Sequence, residues 1–339
     1  MIIRLIFLYP RFRSLLIIFV PINPAPPVIK MPFRGRISFM VDIICALCGQ
    51  KQQIKVLYEA TLDKRNLTKK TYSARRMPDK VHYRILKCVR CSLVFSSPIF
   101  PAEKLSKFYR KSVCSYGDQI PYLIKTYLKI VEQIKKDLPK NPKILEVGCG
   151  NGFFLKALID LGFTKNVFGV EPSSKMVSES NSALKDKIKI NVFKSSLFPK
   201  NSFNLILCFH TLDHMFDPDE FVRGAYSMLK KNGYAAVVVH DTQGLSVRLF
   251  GERSAIFDIE HIYLFNKKTL KKIFARSGFK IIGVSNLVNS YPLNYWVQMS
   301  GFPNVVKKFV KYIFDVFMIG KKEISIPAGN IALITKKNV

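Results

Sequence analysis

The sequence predicts an α/β protein with a mostly parallel sheet of seven strands, helices on both faces of that sheet, and a small cysteine-rich module before it. From about residue 121, short apolar strand patterns alternate with helical patterns, which is typical of a parallel sheet. Three glycines within residues 148–152 lie between the first of these strands and a helix. Upstream, Cys45-x-x-Cys48 and Cys88-x-x-Cys91 indicate a metal-binding module.

The spacing of apolar residues predicts each element. Apolar runs predict the seven strands at 143–147, 166–170, 188–193, 203–209, 234–240, 279–285 and 329–335. Apolar residues at helical spacing predict helices at 122–138, 151–161, 173–184, 217–230 and 268–277. Asp217 is expected to cap the fourth of these helices, with Pro218 in its first turn. Within the module, a strand at 92–98 and a helix at 101–109 are expected.

A further helix, at 305–318, is amphipathic and basic. Its apolar residues share one face and its lysines lie elsewhere, the two sets being Val306, Phe309, Ile313 and Phe317, and Lys307, Lys308 and Lys311. Such a helix can lie on an anionic membrane. Packing of the apolar face against its own domain is the commoner outcome, and both alternatives stay open.

These patterns divide the chain into three segments: an apolar and proline-rich extension at 1–40, the cysteine module at 41–117, and the α/β domain at 118–339. The apolar runs at 5–9 and 15–20 are each too short for a bilayer, which needs about 20 residues. The extension is interpreted as a disordered tail or a wrongly chosen start. A weak basic membrane anchor is the alternative.

The charge balance is strongly basic, with 54 Lys and Arg against 23 Asp and Glu, a formal net charge of +31. Such a surface attracts nucleic acid, anionic lipid or phosphorylated molecules. The basic residues are spread along the chain, however, so a solvated basic surface is an equal interpretation. Seven cysteines are too few for a disulfide scaffold in 339 residues. Two Cys-x-x-Cys pairs suit a reducing compartment, and a cytoplasmic protein is expected.

The glycine turn predicts a cofactor site. Glycines let the backbone approach a ligand where a side chain would collide. Glu171, at the end of the second strand, can accept hydrogen bonds from both ribose hydroxyls of an adenosine. Glu146, two residues before Gly148, would repel a pyrophosphate but suits a cofactor that carries an ammonium group. The alternative is a surface turn with an incidental acid.

Residues 120–339 resemble the class I S-adenosylmethionine-dependent methyltransferases. Ile144-Leu-Glu-Val-Gly-Cys-Gly-Asn-Gly152 is similar to their first motif, and Val170-Glu-Pro172 to their ribose-binding segment. The resemblance implies a Rossmann-like fold and S-adenosylmethionine as cofactor. It assigns cofactor binding to Glu146, Gly148, Cys149, Gly150, Gly152, Glu171, Pro172 and Ser195 or its neighbour Ser196, with His210 near the sulfonium. Asn204 and Asp213 stand where the family commonly has aspartate and glutamate.

The paired cysteines predict a structural zinc ion held by Cys45, Cys48, Cys88 and Cys91. The gap of 39 residues between the pairs exceeds that of a usual zinc ribbon, so an insertion must loop out. A relic fold without metal is the alternative. Cys114, Cys149 and Cys208 are interpreted as isolated small apolar residues.

A cysteine module ahead of a class I domain resembles a group that includes deoxysugar C-methyltransferases and enzymes of glycan gene clusters. In that group, the segment similar to residues 259–265 lies at the substrate site. The resemblance makes His261 the first candidate for a general base, oriented by Glu260, with His210 next. His214 and His240 are expected to have packing roles.

The predicted function is methylation of a small molecule, namely a sugar nucleotide, glycan or glycolipid precursor. An RNA methyltransferase with a zinc-ribbon module is the alternative, since basic charge and zinc would both suit RNA. A third possibility is a binding protein that has lost activity, which the intact glycines and Glu171 oppose. Peripheral membrane contact through residues 305–318 is a further expectation, and a nucleic-acid partner is the less favoured one.

Overall fold

The computed structural model describes residues 40–63, 72, 79–113 and 117–338. The expected N-terminal extension lies outside the described residues apart from Met40, and so does Cys114. The part of the chain that holds the paired cysteines, the glycine turn and the predicted strands is therefore covered.

The described residues form eleven strands and nine α-helices. The strands are β1 (Ile54–Tyr58), β2 (Ile85–Cys88), β3 (Val94–Ser96), β4 (Ile144–Val147), β5 (Val167–Glu171), β6 (Ile188–Ile190), β7 (Phe203–Phe209), β8 (Leu229–His240), β9 (Tyr263–Leu264), β10 (Phe279–Pro292) and β11 (Glu323–Lys337). The helices are α1 (Ala102–Arg110), α2 (Ile120–Glu132), α3 (Phe153–Asp160), α4 (Ser174–Ser178), α5 (Pro218–Met228), α6 (Leu245–Phe250), α7 (Lys267–Arg276), α8 (Leu293–Met299) and α9 (Asn304–Val316).

Seven strands form one sheet in the order β10-β11-β8-β7-β4-β5-β6. Five neighbouring strands are parallel to one another, namely β6, β5, β4, β7 and β8. Strand β11 is antiparallel to both β8 and β10. Strand β4 is buried along its whole length, as expected for the centre of a sheet covered on both faces. The predicted fold class is confirmed. The carboxyl ends of β4, β5, β7 and β8 therefore meet at one edge, where open α/β sheets bind ligands.

Local side-chain chemistry sets several helix ends. Asp217 caps α5 by accepting a hydrogen bond from the backbone N–H of Glu220, and Pro218 occupies the first turn, as the sequence predicts. The helix predicted at 173–184 ends at Ser178 instead. A separate 3-10 turn then begins after Asn181, whose side chain accepts from the backbone N–H of Ala183. Such side-chain bonds offer the backbone an alternative to a continuous helix.

A second, four-stranded sheet has the order β1-β2-β3-β9. Its last strand comes from the α/β domain, because β9 lies in the loop between β8 and α7. Phe95 of β3 pairs with Tyr263 of β9. Arg276, at the end of α7, donates hydrogen bonds to the carbonyls of Leu47 and Ala46 beside the first cysteine pair. The cysteine module and the α/β domain thus share a sheet and one hydrophobic core.

Helices α8 and α9 form an insertion between β10 and β11. These two strands pair over 279–292 and 323–337, about twice the predicted length. The outer part of β11 alternates exposed and half-buried residues, so its signal is weak beside the apolar run that ends the strand. None of the helices in the described part of the chain is long and apolar enough to cross a membrane.

Candidate active site

The turn after β4 brings the backbone close to its surroundings. Gly148 and Gly152 both have a φ of 75°, in the left-handed region that favours glycine. A Cβ on Gly148 would collide with the side chain of Thr211. A Cβ on Gly152 would lie 2.8 Å from Cδ1 of Leu184. Neither position tolerates a side chain in this arrangement, and the turn leaves open backbone at the end of β4.

Glu171 ends β5 beside this turn. Its Oε2 accepts a hydrogen bond of 2.9 Å from the backbone N–H of Gly150, and its Oε1 accepts one of 2.9 Å from that of Ser173. Burial raises the pKa of Glu171, while these two hydrogen bonds oppose that effect. Each carboxylate oxygen has a second lone pair, so the group can still accept a hydrogen bond from a ligand hydroxyl.

Glu146, on β4, is only 3% exposed. Its Oε2 has no hydrogen-bond partner among the described residues. Burial and the nearby charge of Glu171 raise the pKa of Glu146 well above its ordinary range. A cation nearby would instead favour the ionised carboxylate. Glu146 therefore fits an ammonium group, as carried by the methionine part of the predicted cofactor.

A cavity of about 400 Å³ opens beside Glu171 at the carboxyl edge of the sheet, whereas Glu146 is buried and does not line it. Gly148, Glu171 and Pro172 line it, together with residues 191–194 after β6. Further lining residues come from the segment after β7, from the loop before β9 and from the cysteine module, namely Tyr109, His210, Thr211, His214 and Glu260. The lining combines the predicted cofactor residues with two of the predicted catalytic residues, Glu260 and His210.

Three predicted cofactor residues lie in the turn without lining this cavity. Gly150 contributes its N–H to Glu171, Gly152 precedes α3, and Cys149 is buried in a small apolar cluster. Ser195 is exposed and does not line the cavity. Residues 191–194, immediately before it, occupy the place that the sequence analysis gave to Ser195.

Four of the five histidines of the chain gather around Asp213. His240 Nδ1 lies 2.8 Å from Oδ2 of this aspartate, and His214 Nε2 lies 3.8 Å from its Oδ1. The ring of His261 lies 4.5 Å from that of His240 and 4.8 Å from that of His214. This group, with His210, is called the histidine cluster below.

Asp213 is the charged centre of the histidine cluster. Burial alone would raise its pKa, but the hydrogen bond from His240 and the electrostatic effect of the imidazole groups of His214, His240 and His261 hold the pKa below its ordinary value. Its Oδ1 has no hydrogen-bond partner among the residues that the structure describes. An ionised, dry carboxylate in this position stabilises any histidine that gains a proton.

His261 lies behind His214 rather than on the cavity wall. His261 is buried, and its Nδ1 lies 2.8 Å from the carbonyl oxygen of Ile256. Because a carbonyl oxygen only accepts, Nδ1 carries the proton in this hydrogen bond. Burial and the positive charges of His240 and His214 hold the pKa of His261 well below its ordinary value. His261 is thus kept as a neutral imidazole.

His210 follows β7 with a φ of 49°, a left-handed conformation that side-chain-bearing residues adopt uncommonly. Its ring lines the cavity and lies 4.9 Å from the ring of His240. Strained backbone that holds a polar side chain in a cleft is frequent at active sites. His210 therefore lies on the cavity wall, and its place near the sulfonium and its catalytic role stay predictions.

From the sequence, Tyr109 received no role, Asp213 was noted only where the family commonly has glutamate, and His214 was expected to have a packing role. Tyr109 lies 3.3 Å from Nδ1 of His214 and donates to the carbonyl of Glu260, also at 3.3 Å. The run His210-Thr-Leu-Asp-His214 was a usable signal, because two imidazoles and a carboxylate occur there within five residues. Nothing local to Tyr109 indicated its place, since α1 is distant in the chain.

Comparison with known proteins agrees with this geometry. A family model described as a methyltransferase domain matches residues 118–284. Residues 118–284 are thus similar to a methyltransferase domain, in agreement with the motifs at residues 144–152 and 170–172. A ubiquinone biosynthesis O-methyltransferase of Pelagibacter ubique is 32% identical over 120 residues, which are 34% of this chain and 49% of that protein. The chain therefore spans about half the length of this relative.

Two further proteins are similar to the methyltransferase domain. An uncharacterized methyltransferase of Geobacillus sp. (strain WCH70) is 26% identical over 191 residues, covering 53% of this chain and 88% of that protein. The crystal structure of the YcgJ protein of Bacillus subtilis aligns with a TM-score of 0.44 at 18% identity, covering 63% of this chain and 99% of that one.

A second cavity of about 230 Å³ lies on the other side of the histidine cluster. His240 lines it together with Leu249 and Phe250 of α6. Aromatic residues of β10 and α8 form much of the remaining wall, namely Tyr291, Tyr295 and Trp296. In the methyltransferase domain, the histidine cluster therefore separates the predicted cofactor cavity from an apolar, aromatic cavity.

The four paired cysteines converge in the module that precedes the methyltransferase domain. The Sγ atoms of Cys45 and Cys91 lie 3.2 Å apart, those of Cys48 and Cys45 3.6 Å, and those of Cys48 and Cys88 3.5 Å. All four are free thiols. Sulfurs bound tetrahedrally to zinc at about 2.3 Å lie about 3.8 Å from one another. The arrangement is therefore compatible with a Cys₄ zinc site.

Proposed function

We propose that the protein transfers a methyl group from S-adenosylmethionine to a small-molecule acceptor held at the histidine cluster. One observation carries this proposal: the cavity that contains Glu171 and the glycine turn also exposes His214 and His210. When bound, S-adenosylmethionine supplies an electrophilic methyl group on a sulfonium. The cavity thus joins the residues suited to this cofactor with residues suited to proton transfer.

The protein's part in cofactor binding follows from the two acids. Glu171 would accept hydrogen bonds from ribose hydroxyls, because backbone N–H groups of Gly150 and Ser173 already hold its carboxylate in place. Glu146 would pair with the ammonium group, which supplies the partner that its Oε2 lacks among the described residues. Open backbone at Gly148 would let the ligand lie against the end of β4.

His214 is the proposed proton acceptor. Tyr109 donates its hydroxyl proton to the carbonyl of Glu260, so the same oxygen can accept from Nδ1–H of His214. In that tautomer Nε2 of His214 takes the proton released by an acceptor hydroxyl or acidic carbon. The new positive charge would lie 3.8 Å from Asp213 Oδ1. His261 packs behind His214 and is the proposed positioning residue.

The acceptor class is inferred from three supports. The cysteine module with Glu260-His261 resembles enzymes of deoxysugar and glycan pathways, which favours a sugar nucleotide, glycan or glycolipid precursor. The Pelagibacter relative is named for ubiquinone biosynthesis, which also supports a small molecule. The aromatic cavity beside His240 would hold the apolar part of such an acceptor.

Transfer of label from methyl-labelled S-adenosylmethionine tests this proposal. Full-length protein is incubated with nucleotide sugars, a lipid extract and total RNA in separate reactions. We expect label in a nucleotide sugar or in the lipid extract, and label in RNA alone would overturn the small-molecule acceptor. His214→Asn should lower turnover by about 10²–10⁴-fold. Glu179→Ala, on an exposed residue at the end of α4, is the control and should keep full turnover.

We further propose that Cys45, Cys48, Cys88 and Cys91 hold a structural zinc ion. The support is the convergence of the four thiols. A bound ion would fix the turn that joins β2 to β3, and β3 pairs with β9 immediately after His261. The zinc would therefore stabilise one wall of the active site, although it lies outside the cavity.

A further inference from the structure

Helix α9 presents an apolar stripe to solvent. Val305, Phe309, Tyr312 and Val316 recur at helical spacing and are 78%, 63%, 66% and 57% exposed. None of the thirteen residues of α9 is buried. An amphipathic helix on a globular domain normally turns its apolar stripe toward the core. In α9 that stripe faces away from the domain.

The inner side of α9 combines polar and apolar residues. Its half-buried residues are Lys307, Val310, Lys311, Ile313 and Phe314. Lys307 donates a hydrogen bond of 2.9 Å to the carbonyl of Gln298, at the end of α8. Lys311 donates to the side chain of the same residue. Two lysines thus hold α9 to α8, and this orientation leaves the stripe of Val305, Phe309, Tyr312 and Val316 facing solvent.

The exposed apolar surface continues beyond the two ends of α9. Phe317 is 67% exposed and Met318 90%, immediately after the helix. Before the helix, Phe302 packs its ring 5.1 Å from that of Phe250 on α6 and is itself half exposed. An apolar patch of this extent on a soluble domain indicates a binding surface. The stripe of α9 with Phe302, Phe317 and Met318 is called the α9 surface below.

The charge around the α9 surface is positive. Residues 304–322 contain five lysines and one aspartate. Three of the lysines, Lys308, Lys321 and Lys322, are exposed. A self-associating partner would bring together two chains of net charge +31, which repel each other. Apolar residues flanked by exposed lysines instead match a surface with acyl chains beneath anionic headgroups.

We propose that the α9 surface docks on an anionic lipid membrane, with α9 lying in the plane of the interface. The apolar stripe would enter the boundary between headgroups and acyl chains, while the lysines pair with the headgroups. Helix α9 is too short to cross a bilayer, which agrees with an in-plane orientation. The inference does not depend on the proposed methyl transfer.

Docking in this way would place the aromatic cavity next to the lipid. Helix α8, which holds α9 through Gln298, supplies Tyr295, Trp296 and Met299 to the wall of that cavity. An acceptor anchored in the membrane by an apolar tail could then enter the cavity whose inner end is His240. Docking of the α9 surface would thus give this cavity access to a lipid-linked acceptor in the membrane.

Co-sedimentation of full-length protein with vesicles tests the docking. Vesicles of phosphatidylcholine alone and of phosphatidylcholine with phosphatidylglycerol are compared. We expect binding to the anionic vesicles, reduced about ten-fold or more in Phe309→Ser/Phe317→Ser, since both side chains are already exposed and their loss leaves the core intact. Leu161→Ser/Ile190→Ser, which removes two exposed apolar residues elsewhere, is the matched control and should bind like the wild type.

The charge contribution has its own pair of variants. Lys308→Gln/Lys321→Gln should weaken binding about 30-fold, because each of the two lysines contributes about 1 kcal/mol near an anionic surface. Lys230→Gln/Lys231→Gln removes the same charge from the exposed start of β8 and should change binding little. Equal binding by the Phe309→Ser/Phe317→Ser variant and the wild type would overturn the proposal. The proposal would also be overturned if the wild-type protein did not bind vesicles but formed a dimer, and the Phe309→Ser/Phe317→Ser variant did not form it.

Discussion

Glu171 is the residue on which cofactor affinity should depend most. Both of its oxygens are held by backbone N–H groups, so the carboxylate is fixed before a ligand arrives. We predict that Glu171→Ala weakens S-adenosylmethionine binding by about 1–3 kcal/mol, because ribose hydroxyls would lose their acceptor. Calorimetric titration measures the change, with Glu179→Ala as the control. An unchanged dissociation constant would remove Glu171 from the cofactor site.

His261 gives the stability of the protein a dependence on pH. Its pKa in the folded protein lies well below the ordinary value, so it stays neutral while the unfolded chain takes up a proton below about pH 6.5. The unfolded state then binds more protons, and the free energy of unfolding falls as the pH decreases from about 6.5 to 5. One such group contributes a slope of up to about 1.4 kcal/mol per pH unit.

The test compares urea unfolding of the wild type and His261→Asn across this pH range. Asparagine can still donate to the carbonyl of Ile256 but does not titrate. We predict a flatter dependence on pH for His261→Asn. Asp213 does not interfere, because a depressed carboxyl pKa costs stability only when the pH falls below about 4. Parallel curves for the two proteins would show that His261 titrates in the fold as it does in the unfolded chain.

Among the helices, strands and turns, those with a strong local sequence pattern could be predicted from the sequence. The strand before Gly148, the glycine turn and the acid at the end of β5 lie within 30 residues, and each has its own local signal. The order and direction of the sheet agree with the alternation of strands and helices. Asp217 and Pro218 similarly mark the start of α5 by short-range chemistry.

The elements that the sequence analysis missed depend on distant partners. Strand β9 has two residues and exists because β3 pairs with it. The histidine cluster likewise needs the ends of β7 and β8 and the loop before β9 to meet. For α9 the apolar pattern was recognised, and three of the four residues of the predicted apolar face are exposed, namely Val306, Phe309 and Phe317. Only the contacts of Lys307 and Lys311 with Gln298 settle that orientation.

Because β3 pairs with β9, we predict that loss of the cysteine site destabilises the whole active-site wall. Purified protein should contain about one zinc ion per chain, and Cys48→Ser should lose it. The free energy of unfolding should fall by about 3 kcal/mol or more, since a metal that binds only the folded chain stabilises it. Elemental analysis and urea unfolding provide the measurements.

Cys208→Ala is the control for the cysteine site. Cys208 is buried on β7, outside the four-cysteine group, so its variant should be less stable but keep its zinc. Native protein without zinc or iron would contradict the metal site and leave the cysteines as a relic of one.

At the scale of the whole molecule, three features are arranged in series. The cofactor cavity lies at the carboxyl edge of the sheet, the histidine cluster closes its inner end, and the aromatic cavity follows beside α8. The α9 surface adjoins the last of these. A single hydrophobic core joins the cysteine module to the methyltransferase domain, so the wall formed by Tyr109 and Glu260 is positioned by both.

The central claim is that the first cavity binds S-adenosylmethionine, and calorimetric titration of the full-length protein tests it most directly. S-adenosylmethionine and NAD are titrated separately, because both cofactors use glycine turns after a first strand. The account predicts one site per chain for S-adenosylmethionine and no binding of NAD, since Glu146 favours an ammonium group and repels a pyrophosphate. Binding of NAD, or no binding of S-adenosylmethionine by folded protein, would contradict it.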